Sequence, residues 1–375
     1  MIRTISCRRA RAGLAGVCCG LLAALSVGCA DPGIGIYLPP PPCAWFCTPP
    51  SDVPRALVVR GANLVGFQTG EYVGPGAKVD QAVQTFSSLG GNWIAVNFWW
   101  FQDGPDSVEI QPDPGLYTVS NEAVAAAVCV AHQTGLNVVL RPMIDLRDGT
   151  WRGLIQPSRD WFDAYRMLIL DYAQRAGQWN VEAFSVGVEL AGTESAEAEW
   201  RRVVQAVRAS YAGTVVYCAN FDSAARLRWW DAVDVIGIDA YYAIALQPGA
   251  DVHLMTCAWS YWLDLIEGQI VTAFPKKPVW LTEVGIRSVR GAARLPWCGE
   301  DPCFGLIDAN RVDLAEQANY YRATLLAAGG RPWLQGVFWW SWNVDPDAAY
   351  IGDTDYSPQG KPAEDVLAEF WAEQD

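Results

Sequence analysis

Two glutamates of the sequence stand near the ends of apolar runs, where a carboxylate would be partly buried. Glu189 lies in VEAFSVGVEL and Glu283 lies in KPVWLTEVGI. A buried carboxylate is costly unless it is paired or used. Two facing carboxylates can hydrolyse a glycosidic bond, because one attacks the anomeric carbon and the other holds a proton for the leaving oxygen. The alternative is structural, with each glutamate paired to an arginine such as Arg141 or Arg287.

Histidine and cysteine usage argues against other hydrolytic chemistries. The chain has two histidines, His132 and His253, so a Ser/His/Asp triad or a histidine-ligated metal centre would have to be built from these alone. No CxxC spacing occurs that would indicate a zinc site. We therefore expect neither a metal ion nor a cofactor.

Composition narrows the class of partner. The 375 residues are 51% hydrophobic, which suffices for a sizeable core, and the formal net charge is −14. No basic run outside the first residues would neutralise phosphates, which excludes nucleic acid as a partner. The 19 tryptophans and 14 tyrosines suit stacking on sugar rings, although filling a large core accounts for many of them. We expect the protein to act as a monomer.

The N-terminus resembles an export signal. Four arginines precede an apolar stretch over residues 12–28, and LSVGC ends at Cys29. This is similar to a bacterial lipoprotein signal over residues 1–28, after which the cysteine is lipidated; a plain secretory signal is the alternative. We therefore expect an exported protein, either a cell-envelope lipoprotein or a secreted one. A lipid on Cys29 would be its only membrane attachment, because no later apolar run is long enough to span a bilayer.

Residues 29–55 contain YLPPPPCAWFCTPPSDVP, which is typical of a Pro-rich linker. An exported protein meets oxidising conditions, which favour disulfides. Cys129 and Cys218 fall in apolar patterns typical of buried thiols. Two closely spaced pairs are candidate disulfides: Cys43 with Cys47, and Cys298 with Cys303.

From residue 56 to residue 375, eight short apolar runs alternate with segments of helical period. In one of these segments Trp161, Tyr165, Leu168 and Tyr172 recur at the spacing of a single helix face. Near-continuous hydrophobic strands separated by helices predict a parallel sheet, and eight units in this length match a (β/α)8 TIM barrel. A doubly wound sheet is the alternative, but no Gly-rich phosphate loop follows the first strand.

In a barrel of this kind the active site lies at the carboxyl ends of the strands. Glu189 ends the predicted fourth strand and Glu283 the seventh, and these strands lie across the barrel mouth from each other. The same reading places further polar and aromatic side chains at this rim: Asn97, Trp99, Gln102, Arg141, Asp145, Asn220, Asp239, Tyr241, Trp340 and Trp342.

The motifs RPMID, WRGLIQP, FSVGVEL, IGIDAYY, WLTEVGIRS, FWWSWN and YSPQGKPAEDVL occur in this order over roughly residues 60–372. In order and spacing they resemble glycoside hydrolase family 113, whose characterised members are mainly β-1,4-mannanases and belong to the superfamily of retaining β-glycosidases. The resemblance implies a (β/α)8 enzyme that cleaves a β-linked polysaccharide. Carried over by position, it implies that Glu189 is the acid/base, that Glu283 is the nucleophile and that Tyr241 hydrogen-bonds the nucleophile.

The resemblance also implies a set of substrate-binding residues around the glutamates. Trp340 would form the floor of the subsite that holds the sugar under attack. Five others would contact sugar hydroxyls or support residues that do: Asn97, Asp145, Trp151, Asn220 and Asp239. Trp99 and Trp342, which the strand ends place at the same rim, are also predicted to bind substrate.

Two positions depart from the family's pattern. Val188 stands where most of the superfamily has the asparagine that contacts the sugar 2-hydroxyl, so that role would fall to another residue such as Asn220. Met143 stands where a histidine is common. Two other functions therefore stay open: a surface lipoprotein that binds polysaccharide without cutting it, and a β-glucanase or xylanase of the same superfamily.

Overall fold

The computed structural model describes residues 57–299, 306–345 and 354–372. The expected signal peptide, the Pro-rich linker, and Cys29, Cys43, Cys47 and Cys303 lie outside these ranges, so the expectations for them stay predictions.

Eight parallel strands close into a barrel in the described part of the chain, which confirms the predicted (β/α)8 fold. Both faces of these strands are covered, which explains their near-continuous apolar sequence. Strands β8 and β9 form a separate antiparallel pair. The strands are β1 (Val59–Val65), β2 (Trp93–Gln102), β3 (Asn137–Leu146), β4 (Ala183–Val188), β5 (Thr214–Asn220), β6 (Val235–Asp239), β7 (Val279–Val284), β8 (Val289–Arg290), β9 (Asp308–Val312) and β10 (Leu334–Asn343). Around the barrel the order is β1, β10, β7, β6, β5, β4, β3, β2.

The helices bury one face each against the strands, as their apolar spacing predicts. On the fourth helix, for example, Trp161, Tyr165, Leu168 and Tyr172 are all buried. The helices are α1 (Thr69–Tyr72), α2 (Val79–Ser88), α3 (Asn121–Gln133), α4 (Arg159–Gln178), α5 (Glu197–Arg208), α6 (Val252–Ile266), α7 (Leu314–Gly329) and α8 (Pro362–Ala372).

The connection between β5 and β6 differs from the predicted strand–helix unit. This described segment holds two 3₁₀ turns, Ala224–Arg226 and Trp230–Ala232, in place of an α-helix. Trp229 and Trp230 are fully buried there, and Trp229 stacks on Trp200 of α5 with ring centroids 5.2 Å apart. The two indole rings cover the barrel strands at the position that a helix would otherwise occupy, so no α-helix is needed in this segment.

Three barrel strands carry bulges, where one strand has an extra residue relative to its neighbour. Along β4 and β5 the paired residues step from Ser185 to Val188 on one side but only from Val216 to Cys218 on the other. β7 has one extra residue opposite the stretch of β10 from Val337 to Trp339. β10 has one extra residue opposite the stretch of β1 from Ala62 to Leu64. A bulge changes which side chains face the barrel interior. Of the bulged strands, β4 precedes Glu189, β7 carries Glu283 and β10 carries Trp340.

The cysteines differ in part from expectation. Cys218 is a free, buried thiol as predicted, but Cys129 is free and exposed on α3, so the prediction that it is buried is wrong. Cys298 is disulfide-bonded, as is Cys257, for which no pairing was expected. The pairing of Cys298 with Cys303 stays a prediction. No helix among the described residues combines the length and hydropathy that a membrane crossing requires.

Candidate active site

A buried arginine, Arg141 on β3, links three other strands of the barrel. Its Nη2 donates to Glu283 Oε1 on β7 at 2.8 Å and lies 3.4 Å from both carboxylate oxygens of Asp239 on β6. Its Nη1 donates to the side-chain oxygen of Asn63 on β1. The side chain is only 1% exposed, so these groups, rather than water, must compensate its charge.

Glu283 accepts a hydrogen bond on each carboxylate oxygen. Oε1 accepts from Arg141, and Oε2 accepts from the Tyr241 hydroxyl at 2.6 Å. Burial, followed by the charge of Glu283, raises the pKa of Tyr241 well above its ordinary value, so the phenol keeps its proton and remains the donor. The two donors orient the carboxylate and stabilise it as an anion, which is the form that a nucleophile needs.

Glu189 follows the last residue of β4 in an unusual backbone conformation. Its φ is 52°, in the left-handed region that residues other than glycine seldom adopt. Its N–H donates to the carbonyl oxygen of Cys218 on β5 at 2.8 Å. Glycine would fit this backbone without strain but has no carboxyl group. A strained glutamate at the end of a barrel strand points to a functional role for its side chain.

The surroundings of Glu189 raise the pKa of its carboxyl group. Its side chain is 12% exposed, with Oε2 at 3.4 Å from Trp151 Nε1 and 3.5 Å from Arg152 Nη1. Burial, followed by the charge of Glu283, raises its pKa to about 7, against the opposing effect of Arg152. One carboxyl group therefore faces a cation and a phenol donor while the pKa of the other is raised, which is the asymmetry that acid-assisted nucleophilic attack requires.

Arg152 connects Glu189 to a second carboxylate, Asp145 at the end of β3. Its Nε and Nη2 donate to Asp145 Oδ1 at 2.8 and 2.6 Å, and the hydroxyl of Tyr117 donates to Asp145 Oδ2 at 2.7 Å. The Trp151 ring lies directly over Gly153, where a Cβ would come within 2.2 Å of it. The sequence WRG thus places an indole and a guanidinium beside the same glutamate.

Replacing Arg152 with methionine is expected to move the alkaline limb of the pH–rate profile to higher pH. Arg152 lowers the pKa of Glu189, and its loss also leaves the Asp145 charge uncompensated nearby, so both changes raise the pKa of the acid. The measurement is kcat/KM between pH 5 and 9, since its alkaline limb reports the free enzyme's acid. The matched control is Arg166→Met, because Arg166 pairs with Asp163 on the outer side of α4. An unchanged alkaline limb in Arg152→Met would contradict the role given to Arg152.

Two residues of the predicted substrate-binding set, Asp239 and Asn97, are buried beneath the candidate active site. Asp239 is fully buried, accepts from Thr282 Oγ1 at 2.7 Å and faces Arg141. Burial and the charge of Glu283 raise its pKa well above the ordinary value. Asn97 is also fully buried, and its Nδ2 lies 3.2 Å from Asn63 Oδ1. Because neither is exposed, the structure favours the second of the two roles predicted for them: both support Arg141 and its partners rather than contacting a sugar directly.

The aromatic residues predicted to bind substrate differ in how deeply they are buried. Trp342 is fully buried, with its Nε1 donating to the carbonyl of Ala82 on α2 at 2.9 Å, so its assignment to substrate binding is wrong. Trp99 is 3% exposed beneath the ring of Phe67. Trp151 and Trp340 are half-buried, and the peptide bond after Trp340 is cis. The substrate contacts predicted for Trp151 and Trp340 stay predictions, together with those of the polar rim residues Asp145 and Asn220.

Several residues that build this network were not expected from the sequence. Asn63, in the first strand, donates through Nδ2 to the carbonyl of Thr282 at 2.9 Å and so ties β1 to β7. A polar residue inside ALVVRGANLVGF was the available signal for it. Tyr117 and Arg152 lie in connecting segments, and no pattern of the sequence marked them as neighbours of Asp145.

Val188 and Met143, the two departures from the family's pattern, are both 2% exposed and belong to an apolar cluster inside the barrel. Val188 pairs in register with Cys218 on β5. The position before Glu189 is therefore filled by packing and supplies no hydrogen bond. Asn220, whose Nδ2 donates to Asp222 at 2.7 Å, remains the residue predicted to take over a polar contact with the sugar.

A further buried glutamate, Glu194, lies just after the Ala191–Thr193 turn that follows Glu189. Its Oε1 accepts from the hydroxyls of Tyr217 at 2.8 Å and Ser223 at 3.0 Å. Burial raises its pKa to about 7, although both hydroxyls lower it. Glu194 therefore connects the loop after β4 with β5 and with the loop after β5. Sequence analysis did not single it out.

Replacing Glu194 with glutamine is expected to stabilise the protein at alkaline pH and to change little at acidic pH. A carboxyl group with a raised folded-state pKa stabilises fully below its unfolded-state pKa, 4.5, and this contribution is lost as pH rises through about 7. Glutamine keeps the acceptor oxygen without the charge. We expect a gain on the order of 2–3 kcal/mol at pH 8 and almost none at pH 4.5, measured by urea unfolding. Equal gains at both pH values would contradict this account. The control is Glu369→Gln, in an exposed pair with Arg322.

Comparison with known proteins identifies the family of this chain. The model of Glycoside Hydrolase Family 113 matches residues 65–361. The chain belongs to glycoside hydrolase family 113. It is therefore a glycoside hydrolase, as the paired glutamates predicted.

Solved structures of family 113 resemble this chain over most of its length. A family 113 β-1,4-mannanase is 27% identical with a TM-score of 0.73, over 84% of this chain and 99% of its own. The family 113 β-mannanase AaManA from Alicyclobacillus acidocaldarius, in complex with ManMIm, is 30% identical with the same TM-score, over 85% and 99% of the two chains. A β-D-glucuronidase from Dictyoglomus thermophilum, 15% identical with a TM-score of 0.57, shares the fold; the match covers 85% of this chain and 51% of that one. No curated protein sequence matches the chain significantly.

Proposed function

We propose that this family 113 enzyme hydrolyses β-1,4-linked mannan with retention of the anomeric configuration. The observation that carries the proposal is the unequal environment of the two glutamates. Glu283 accepts hydrogen bonds from Arg141 and Tyr241, whereas burial and the charge of Glu283 raise the pKa of Glu189 to about 7. We propose mannan as the substrate because two similar solved structures of the family are β-mannanases.

The first step forms a covalent intermediate. The Glu283 carboxylate attacks the anomeric carbon, the bond to the leaving oxygen breaks, and Glu189 transfers its proton to that oxygen. Glu283 then carries the sugar as an ester and has lost its charge. The Tyr241 hydroxyl, fixed on Glu283 Oε2 at 2.6 Å, orients the carboxylate for attack.

The second step releases the sugar. Glu189, now an anion, removes a proton from water, whose oxygen bonds to the anomeric carbon as the ester bond to Glu283 breaks. Glu189 is protonated again and Glu283 is again a carboxylate. Two inversions at one carbon give retention, and this mechanism requires the two carboxyl groups to lie about 5–5.5 Å apart.

The proposal is tested by incubating the purified protein with mannan, glucomannan, xylan and cellulose and measuring reducing ends. We expect release from mannan and glucomannan, with the β-anomer as the first product in NMR spectra recorded during hydrolysis. Release of reducing ends only from xylan or cellulose would contradict mannan as the substrate but would not contradict the mechanism. An α-anomeric first product would contradict retention. Binding without release from any glycan would support the non-catalytic alternative.

We further propose that the enzyme is exported, is anchored through a lipid on Cys29 and acts as a monomer. The N-terminal signal pattern supports the export and the lipid anchor. Labelled palmitate should be incorporated into the wild type but not into Cys29→Ala. Absence of label from both would leave a secreted form as the better account.

A further inference from the structure

Three aromatic side chains, Phe67, Trp99 and Tyr117, form a compact group near the ends of β1 and β2, here called the aromatic platform. Phe67 stacks on Trp99 with centroids 5.9 Å apart and planes 23° apart. Tyr117 meets both rings edge-on, at interplanar angles of 87° and 84°. Trp99 is 3% exposed, whereas Phe67 keeps 49% of its surface exposed. The ring that faces solvent is therefore Phe67, and Trp99 supports it from behind.

The segment after β1 holds Phe67 in this position. The Phe67 N–H donates to Glu71 Oε2 at 3.0 Å. At the preceding residue, Gly66, a Cβ would lie 2.6 Å from the same carboxylate and 2.7 Å from the Tyr72 ring, so a larger residue there would displace these side chains. An isolated exposed phenylalanine needs no explanation. A stacked and edge-supported one, with its backbone fixed, is a preformed flat apolar surface.

The aromatic platform is connected to the proposed acid/base through consecutive contacts. The Tyr117 hydroxyl donates to Asp145, Asp145 accepts from Arg152, and Arg152 Nη1 lies 3.5 Å from Glu189 Oε2. Asp145 and Arg152 keep 20% and 13% of their side chains exposed. An exposed aromatic face beside a few fixed polar groups is the composition of a small-molecule subsite.

We propose that the aromatic platform is a distal sugar-binding subsite, in which one pyranose unit of the glycan stacks on Phe67 while Asp145 and Arg152 face its hydroxyl groups. This deepens, and rests on, the proposed function. Pyranose rings have an apolar face of C–H groups that matches a flat aromatic ring. The sugar that stacks here is separated from the cleaved bond, because Asp145 and Arg152 lie between Phe67 and Glu189. Long glycan chains reach this subsite, whereas short ones end before it.

Replacing Phe67 with alanine should therefore lower kcat/KM for mannohexaose about 2- to 10-fold, the range expected for one aromatic contact, and leave that for mannotriose unchanged. Phe67→Trp should restore the wild-type ratio between the two substrates, because it restores a flat face. Met167→Ala is the matched control, since Met167 is 75% exposed on α4, on the outside of the barrel. An equal change on both substrates, or none on either, would overturn the subsite.

A second measurement separates this inference from the proposed function. In affinity electrophoresis through gels that contain soluble glucomannan, the wild type should be retarded more than Phe67→Ala, whether or not the protein cuts the glycan. Retardation of the wild type with no hydrolysis would contradict the proposed function and retain the subsite. Equal mobility of the two proteins in the presence of glucomannan would overturn the subsite.

Discussion

Replacing Glu283 with alanine is expected to abolish hydrolysis of mannan while leaving the protein folded. The nucleophile forms the covalent bond in the proposed mechanism, and the loss expected in kcat is on the order of 10⁶, the size seen when the nucleophile of a serine protease is removed. Alanine removes one of two buried carboxylates that share Arg141, so the arginine keeps Asp239 as a partner. The measurement is kcat on mannan, together with far-ultraviolet circular dichroism and a urea unfolding curve.

Azide provides the control that separates a missing nucleophile from a damaged site. In Glu283→Ala a small anion can enter the space of the lost carboxylate and attack the anomeric carbon, and it should restore turnover of an aryl β-mannoside to give a glycosyl azide of inverted configuration. Glu369→Ala, at an exposed pair on α8, should keep full activity. Wild-type-like turnover by Glu283→Ala without azide would sink the assignment.

Replacing Arg141 with leucine is expected to lower the free energy of unfolding by about 3–5 kcal/mol at pH 8, because it leaves buried carboxyl groups without a cation. Arg141 is 1% exposed, and it faces Glu283 at 2.8 Å and Asp239 at 3.4 Å. The deficit should shrink towards pH 4.5, since burial raises the pKa of Asp239 and this carboxyl group can take up a proton as the pH falls. Urea unfolding at the two pH values measures the change.

An arginine in an exposed pair is the matched control for this substitution. Arg202 pairs with Glu199 on α5, its side chain is 62% exposed, and pairs of this kind contribute only about 0.2–1 kcal/mol. Arg202→Leu should therefore have a small effect with little pH dependence. If Arg141→Leu were no more destabilising than Arg202→Leu, the idea that Arg141 compensates buried charge would fail.

The structural alternative for the two glutamates was partly correct. Glu283 does pair with Arg141, and Glu189 lies 3.5 Å from Arg152. A purely structural ion pair would not need the left-handed backbone of Glu189, at φ 52°, or the raised pKa that this side chain has beside a second carboxylate. The arginines adjust the charge of the site and do not replace its chemistry.

The sequence by itself determined the barrel and the two glutamates. Parallel strands covered on both faces require continuous apolar runs, and their carboxyl ends must meet at one rim, so Glu189 and Glu283 could be assigned from their positions at strand ends. The family motifs then predicted their roles. Neither step depends on a contact between distant residues.

Only the tertiary structure decided which neighbouring side chains face the site. A strand normally alternates its side chains between two faces, which led Trp340 and Trp342 to be assigned together. The bulge on β10 shifts that alternation, so Trp342 packs on α2 while Trp340 faces the barrel interior. The bulge on β7 likewise lets the consecutive residues Thr282 and Glu283 contact Asp239 and Arg141. Such bulges arise from pairing between strands far apart in the chain, so no local pattern of residues predicts them.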